Sequence, residues 1–143
     1  MDERKVRISI KGMQSGLGDS GQEERLEMVV IGKSYEKNGK TYIVFDDLEL
    51  DREKPTKTTV KVEAGLVSVL RFGAASTHLL FKEGEQHIAP YETPMGMLEI
   101  LSKTRSVDFR KTDRGIDLKV VYYLEVNQMS MGNSTFSMVA EYI

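Results

Sequence analysis

Apolar and polar residues alternate one for one along most of this chain, the period of a strand with one face buried and the other wet. In "RKVRISIK", Val6, Ile8 and Ile10 fall on one side, with Lys5, Arg7, Ser9 and Lys11 on the other. Leu26, Met28 and Val30 repeat the rhythm, as do Val60 and Val62 set among Lys57, Lys61 and Glu63. In "GIDLKVVYYLEV", Ile116, Leu118, Val120, Tyr122, Leu124 and Val126 share a face. Phe136, Met138, Ala140 and Tyr142 mark a last strand. Turn residues separate these runs. "EKNGKT" places Asn38-Gly39 between Tyr35 and Tyr42, a strong hairpin signal because a tight turn that follows the strand twist needs positive φ at its central positions. "EAGL", "KEGEQ", "TDRG" and "QMSMGN" supply glycine at the other reversals. About nine or ten short strands result, at the spacing of a sandwich or barrel. Sequential hairpins make an all-β antiparallel meander, and closing it removes its exposed edges. A barrel of about eight strands is just filled by its own side chains, so a wall of nine or ten leaves room for a small ligand.

One segment fits two periods. "APYETPMGMLEILSKT", residues 89–104, holds two of the chain's three prolines. Thr93 would cap a helix with Pro94 at its first position. Gly96 weakens that first turn, and the segment runs into "RSVDFRK", which alternates as a strand. Leu98, Ile100 and Ser102 on one face, with Glu99 outward, continue the surrounding rhythm. The segment therefore reads as a corner between strands, with Pro90 and Pro94 at strand ends, where a missing N–H does no harm.

Composition narrows the picture. At 143 residues the chain reads as one domain, 1–143, able to bury roughly 68–70% of its unfolded surface without staples. It has no cysteine, so disulfides, thiolate metal sites and cysteine nucleophiles are excluded. "MDERKVRISI" is followed by no apolar core of a signal peptide, and no stretch reaches the roughly 18 apolar residues of a membrane helix. A cytoplasmic protein without a membrane association is expected. A net charge of −2 with both signs dispersed makes nucleic acid an improbable partner.

"YETPMGMLEILSKT", preceded by "TKTTVKVE" and "LRFGAASTHLLFKEG" and joined by "GKSYEKNGKTYIVFDD", resembles the YwiB-like family of small bacterial proteins over nearly the whole chain. The spacing Tyr91-x-Thr93-Pro94-x-Gly96-x-Leu98-Glu99 is its most specific part. The resemblance implies a calycin-like barrel in the bacterial cytoplasm and no particular activity. Calycin barrels such as lipocalins and fatty-acid-binding proteins often hold small apolar ligands, a role that reaches this chain by analogy of fold alone.

Other constellations have plainer readings. "GLGDSG", residues 16–21, matches G-x-G-x-x-G, but polar residues separate it from the preceding strand and no parallel βαβ unit follows, so it reads as a hairpin loop rather than a dinucleotide site. His78 and His87, the only histidines, would not face one another across a turn at Gly84, and no metal site is expected. Ser76 and His78 share a face without an orienting acid or a nucleophile elbow. "DDLELDRE" gathers Asp46, Asp47, Glu49, Asp51 and Glu53 on what resembles a solvated edge more than a calcium loop. Catalysis and cofactors are accordingly not expected.

Arg71 carries the sharpest question. In "GLVSVLRFG" it shares parity with Val67 and Val69, and a buried arginine requires a carboxylate, a phosphate or several acceptors. Alternatively Leu66, Ser68, Leu70 and Phe72 face in and Arg71 is solvated. If Arg71 is inside, it would hold the anionic head of a fatty-acid-like ligand, with Tyr91 and Tyr122 as supporting hydroxyls and Val69, Leu118 and Val120 lining the cavity. It would equally serve to fix the fold by pairing with an internal glutamate. The eight methionines suit an adaptable interior. The alternative function is a surface module that binds RNA or a protein through a basic hairpin of Lys103, Arg105, Arg110, Lys111 and Arg114, with Tyr123 beside it. Val29, Ile31, Ile43 and Phe45 would form an outward apolar patch fit for a dimer if their odd-numbered face is exposed.

Overall fold

The computed structural model describes residues 3–15, 24–47, 55–73 and 76–143. Ten strands follow in chain order: β1 (Arg4–Ser15), β2 (Glu24–Lys37), β3 (Lys40–Asp47), β4 (Thr56–Glu63), β5 (Leu66–Phe72), β6 (Ser76–Lys82), β7 (Gln86–Thr93), β8 (Gly96–Lys111), β9 (Gly115–Val126) and β10 (Met129–Tyr142). Each pairs antiparallel with the next, and β1 closes the barrel against β10. Among the described residues there is no helix, hence none long and apolar enough to cross a membrane.

The alternation dictates which side of the wall each residue occupies. Val6, Ile8 and Ile10 of β1 point inward beside Met138 and Ala140 of β10 and Ile116, Leu118 and Val120 of β9. Ile43, Phe45, Val60, Val62, Val67 and Phe81 complete one contiguous core from the opposite wall. The turn between β2 and β3 decides a parity that the sequence leaves open. Lys37 pairs with Lys40, so even-numbered residues of β2 share a side with odd-numbered residues of β3. Ile43 and Phe45 are therefore buried while Val29 and Ile31 are exposed. The expected patch of all four residues does not exist as one surface.

Asn38-Gly39 makes the expected tight turn, with φ of 54° and 76°. The reversal after β9 is different from expectation. It is Asn127-Gln128, at φ of 50° and 69°, and Gly132 sits instead within β10 at a register shift. Asparagine tolerates this backbone, and here its position is fixed twice. The Asn127 N–H donates to the Glu99 carbonyl at 2.8 Å, and its Oδ1 accepts the Glu99 N–H at 2.8 Å.

The segment 89–104 is a corner, as its rhythm implies. Pro94-Met95 joins β7 to β8, and Thr93 Oγ1 donates to the Gly96 carbonyl at 2.7 Å and accepts from the Met95 N–H at 3.2 Å. The hydroxyl that would cap a helix closes a hairpin. Pro90, however, lies inside β7 and not at its end. Its carbonyl accepts from Thr77 Oγ1 of β6 at 2.8 Å, so the side of the backbone lacking an N–H faces β6. There the ladder is short: β6 and β7 pair only at Ser76–Glu92 and Thr77–Tyr91. Their connecting turn bonds to β8 instead, Gly84 N–H to the Thr104 carbonyl and Thr104 N–H to the Glu85 carbonyl, each at 3.0 Å. The barrel thus has a seam between β6 and β7.

Candidate functional site

Arg71 faces the interior. Its register partner on β4 is Thr58, which shares the buried column of Thr56, Val60 and Val62. On the other side it pairs with Thr77, and Thr77 pairs with Tyr91. Residues directly opposite one another across antiparallel strands point to the same side, so Thr58, Arg71, Thr77 and Tyr91 form an inward polar row across four strands. The opposing arrangement is ruled out by exposure: Leu70 faces solvent and Phe72 is 78% exposed.

Within this row Arg71 Nη1 donates a hydrogen bond to the Tyr91 hydroxyl, and the guanidinium carbon lies 5.9 Å from the Tyr91 ring centroid. The phenol oxygen accepts there and keeps its own proton to donate onward. Thr77 spends its hydroxyl on the Pro90 carbonyl. Thr58 is 4% exposed, and its Oγ1 has no hydrogen-bond partner among the described residues. A buried hydroxyl in that state costs about 1–3 kcal/mol. The row therefore combines a cation, a phenol and an unsatisfied hydroxyl on the barrel's inner wall. Thr58 was legible as inward from its parity with Val60 and Val62, but nothing in the sequence states that it stands opposite Arg71.

The other expected lining residues also face inward but belong to different layers. Val69 lies one inward position from Arg71, between Val60 and Leu79. Leu118 and Val120 are core residues of β9. Tyr122 does not join Arg71 and Tyr91. Its ring packs against Phe81 with centroids 4.9 Å apart, and it is hydrogen-bonded to Ser134. Burial pushes its phenol above the usual tyrosine range, an effect partly opposed by that hydrogen bond.

The basic hairpin is less uniform than its composition suggests. Arg110 stands opposite Asp117 and Lys119 opposite Asp108. Lys111 pairs with Glu36 across the far end of the barrel, beside a half-open cleft of about 490 Å³ where Arg4 covers the Tyr142 ring at 3.7 Å. Lys103 sits 5.7 Å from the outward Tyr123 ring. His78 is exposed and His87 faces inward, so the two imidazoles are on opposite sides of the wall. Ser76 accepts from the Gly73 N–H at 3.4 Å. The "GLGDSG" motif and Leu48–Glu53 of the acidic stretch lie outside the described residues; Asp46 is exposed.

Residues 8–138 match a family model described as a domain of unknown function, DUF1934. The chain is 32% identical over 114 residues to the uncharacterized beta-barrel protein YwiB of Bacillus subtilis (strain 168), covering 80% of this chain and 79% of the relative. It is also similar to the crystal structure of the ywiB protein from Bacillus subtilis, with a TM-score of 0.77 at 25% identity over 99% of this chain and 93% of that one.

Proposed function

The chain belongs to the DUF1934 family, and on that premise we propose that it is a cytoplasmic small-ligand-binding barrel of calycin type. In this reading the barrel accepts the anionic group of an apolar, fatty-acid-like molecule at the Arg71 end of its interior. The observation that carries this reading is the inward row of Arg71, Tyr91 and Thr58, in which a guanidinium and a buried unsatisfied hydroxyl share one face. A carboxylate entering the row accepts from the guanidinium fork in a charge-assisted geometry and from the Tyr91 and Thr58 hydroxyls. Low local dielectric strengthens those bonds. The apolar chain then meets Val60, Val69 and Leu79 of the next layer. Broken pairing between β6 and β7 gives it a way in.

Native mass spectrometry with decanoate tests this. The protein is expected to retain one decanoate, Tyr91→Phe to bind several-fold more weakly, and Arg71→Met to lose the adduct while keeping its circular dichroism spectrum. Retention by Arg71→Met at the wild-type level contradicts the proposal, as does failure of the wild type to bind.

A further inference from the structure

A second group of buried polar atoms lines the same wall. His87 of β7 stands opposite Ser102 of β8, and the bond from the Thr104 N–H to the Glu85 carbonyl continues that register by one inward step. Thr104 is 5% exposed, and neither its Oγ1 nor His87 Nδ1, both buried atoms, has a hydrogen-bond partner among the described residues. The neighbouring phenol of Tyr122, opposite Thr104, is already bonded to Ser134. Native interiors rarely leave buried polar atoms unsatisfied unless something polar reaches them.

The chemistry of that something follows from the groups it meets, His87, Thr104 and the Glu85 carboxylate beside them. The Glu85 carboxylate lies 3.8 Å from His87 Nε2, beyond hydrogen-bond reach, so the contact does not fix the ring tautomer and Nδ1 can donate or accept. A guest must therefore be able both to donate and to accept, and Thr104 can serve it in either role. Lys82 Nζ also lies 3.8 Å from the Glu85 carboxylate, so those two half-exposed charges offset one another, and a second carboxylate is disfavoured by the cost of burying it without a cation of its own. A neutral hydroxyl meets all three conditions.

Spacing connects this group to the Arg71 row. His87 and Tyr91 are both inward on β7, four residues apart, which at the strand rise of about 3.3 Å separates them by about 13 Å, the reach of an extended chain of about ten carbons. Ala89 lies between them, the smallest inward side chain of that strand, facing Ile100. Leu79 and Phe81 flank this track from β6, where no ladder with β7 holds them. We infer that the barrel's ligand is doubly polar, with an anionic group at Arg71 and Tyr91 and a neutral hydroxyl at His87 and Thr104, joined by an apolar chain lying along β7. This rests on the reading of the Arg71 end given above and specifies its ligand class.

The test compares decanoate, 10-hydroxydecanoate and decanedioate by native mass spectrometry and calorimetry on the full chain. The wild type is expected to bind 10-hydroxydecanoate about tenfold more tightly than decanoate, a factor consistent with satisfying one buried polar group, and decanedioate less tightly than either. Thr104→Val, nearly isosteric, and His87→Leu should each erase most of the preference for the hydroxyl while still binding decanoate. Equal binding of decanoate and its hydroxylated form overturns the inference and leaves the Arg71 reading standing, with an ordered water then satisfying His87 and Thr104. Binding of none of the probes overturns the Arg71 reading itself.

Discussion

Two adjacent-strand pairs of this barrel use the same alternating rhythm for different ends. Between β9 and β10 the register runs from Val126–Met129 to Gly115–Glu141 with a single shift at Ser130/Gly132, and the inward column of β9 begins Ile116, Leu118, Val120. Between β6 and β7 the ladder covers Ser76–Glu92 and Thr77–Tyr91, and the inward column of β7 is His87, Ala89, Tyr91. The first wall buries Ile116, Leu118, Val120, Met138 and Ala140 on its inner side and pairs nearly every backbone group. The second places a proline beside the ladder, a small residue in the core layer and polar tips at each end. Strands of equal rhythm thus differ in local stability, and ligand-admitting elements belong at the weak end of that range.

The comparison is broken most severely by truncating the strong wall. Leu118→Ala should cost about 2–5 kcal/mol, read from the urea midpoint, whereas Leu79→Ala on the partly buried seam should cost less than half as much. Equal losses would remove the distinction between the walls. Alkaline pH probes the strong wall more gently. The folded state raises the Tyr122 pKa by burial, so the fold favours the neutral phenol. That stabilisation is fully present below the unfolded value of about 10 and is lost as pH rises through the folded value. The wild-type urea midpoint should accordingly fall more steeply above about pH 10 than that of Tyr122→Phe.

Restoring an N–H to the seam sharpens the contrast from the other side. Pro90→Ala should increase amide protection of β6 and β7 and slow decanoate association, with a change in global stability within about 1 kcal/mol. The smallest effect on stability is expected from Thr58→Val. Removing an unsatisfied buried hydroxyl without changing shape should leave the urea midpoint unchanged or slightly raised. Decanoate binding should nevertheless weaken, a split that a purely structural threonine would not produce.

How much of this was legible beforehand depended on where parity was anchored. Strands with one charged and one apolar face, such as Val6–Ile10 and Ile116–Val120, announce their inner side directly. β5 does not, because Leu66, Leu70 and Phe72 compete with Val67 and Val69; only pairing with the unambiguous column of β4 places Arg71 inside. The same holds for Ile43 and Phe45, whose side follows from the length of a turn and not from their own neighbours. Pro90 misled because a strand interior usually needs its N–H, and here the ladder gives way instead. The second polar group was hidden for another reason. His87 and Thr104 lie on different strands, and what joins them is a turn folding onto β8, a contact no local pattern encodes.

Hydrogen–deuterium exchange resolved along the chain, with and without decanoate, tests the seam and its occupant together. The amides of Leu80 and Ile88, which point into the gap between β6 and β7, should exchange far faster than those of Leu118–Val120 and Phe136–Met138 in the free protein, and should slow on adding decanoate while the β9–β10 wall stays as it was. Protection that is uniform around the barrel, or unchanged by decanoate at concentrations that saturate the Arg71 end, would contradict a barrel that opens between β6 and β7 to take its ligand.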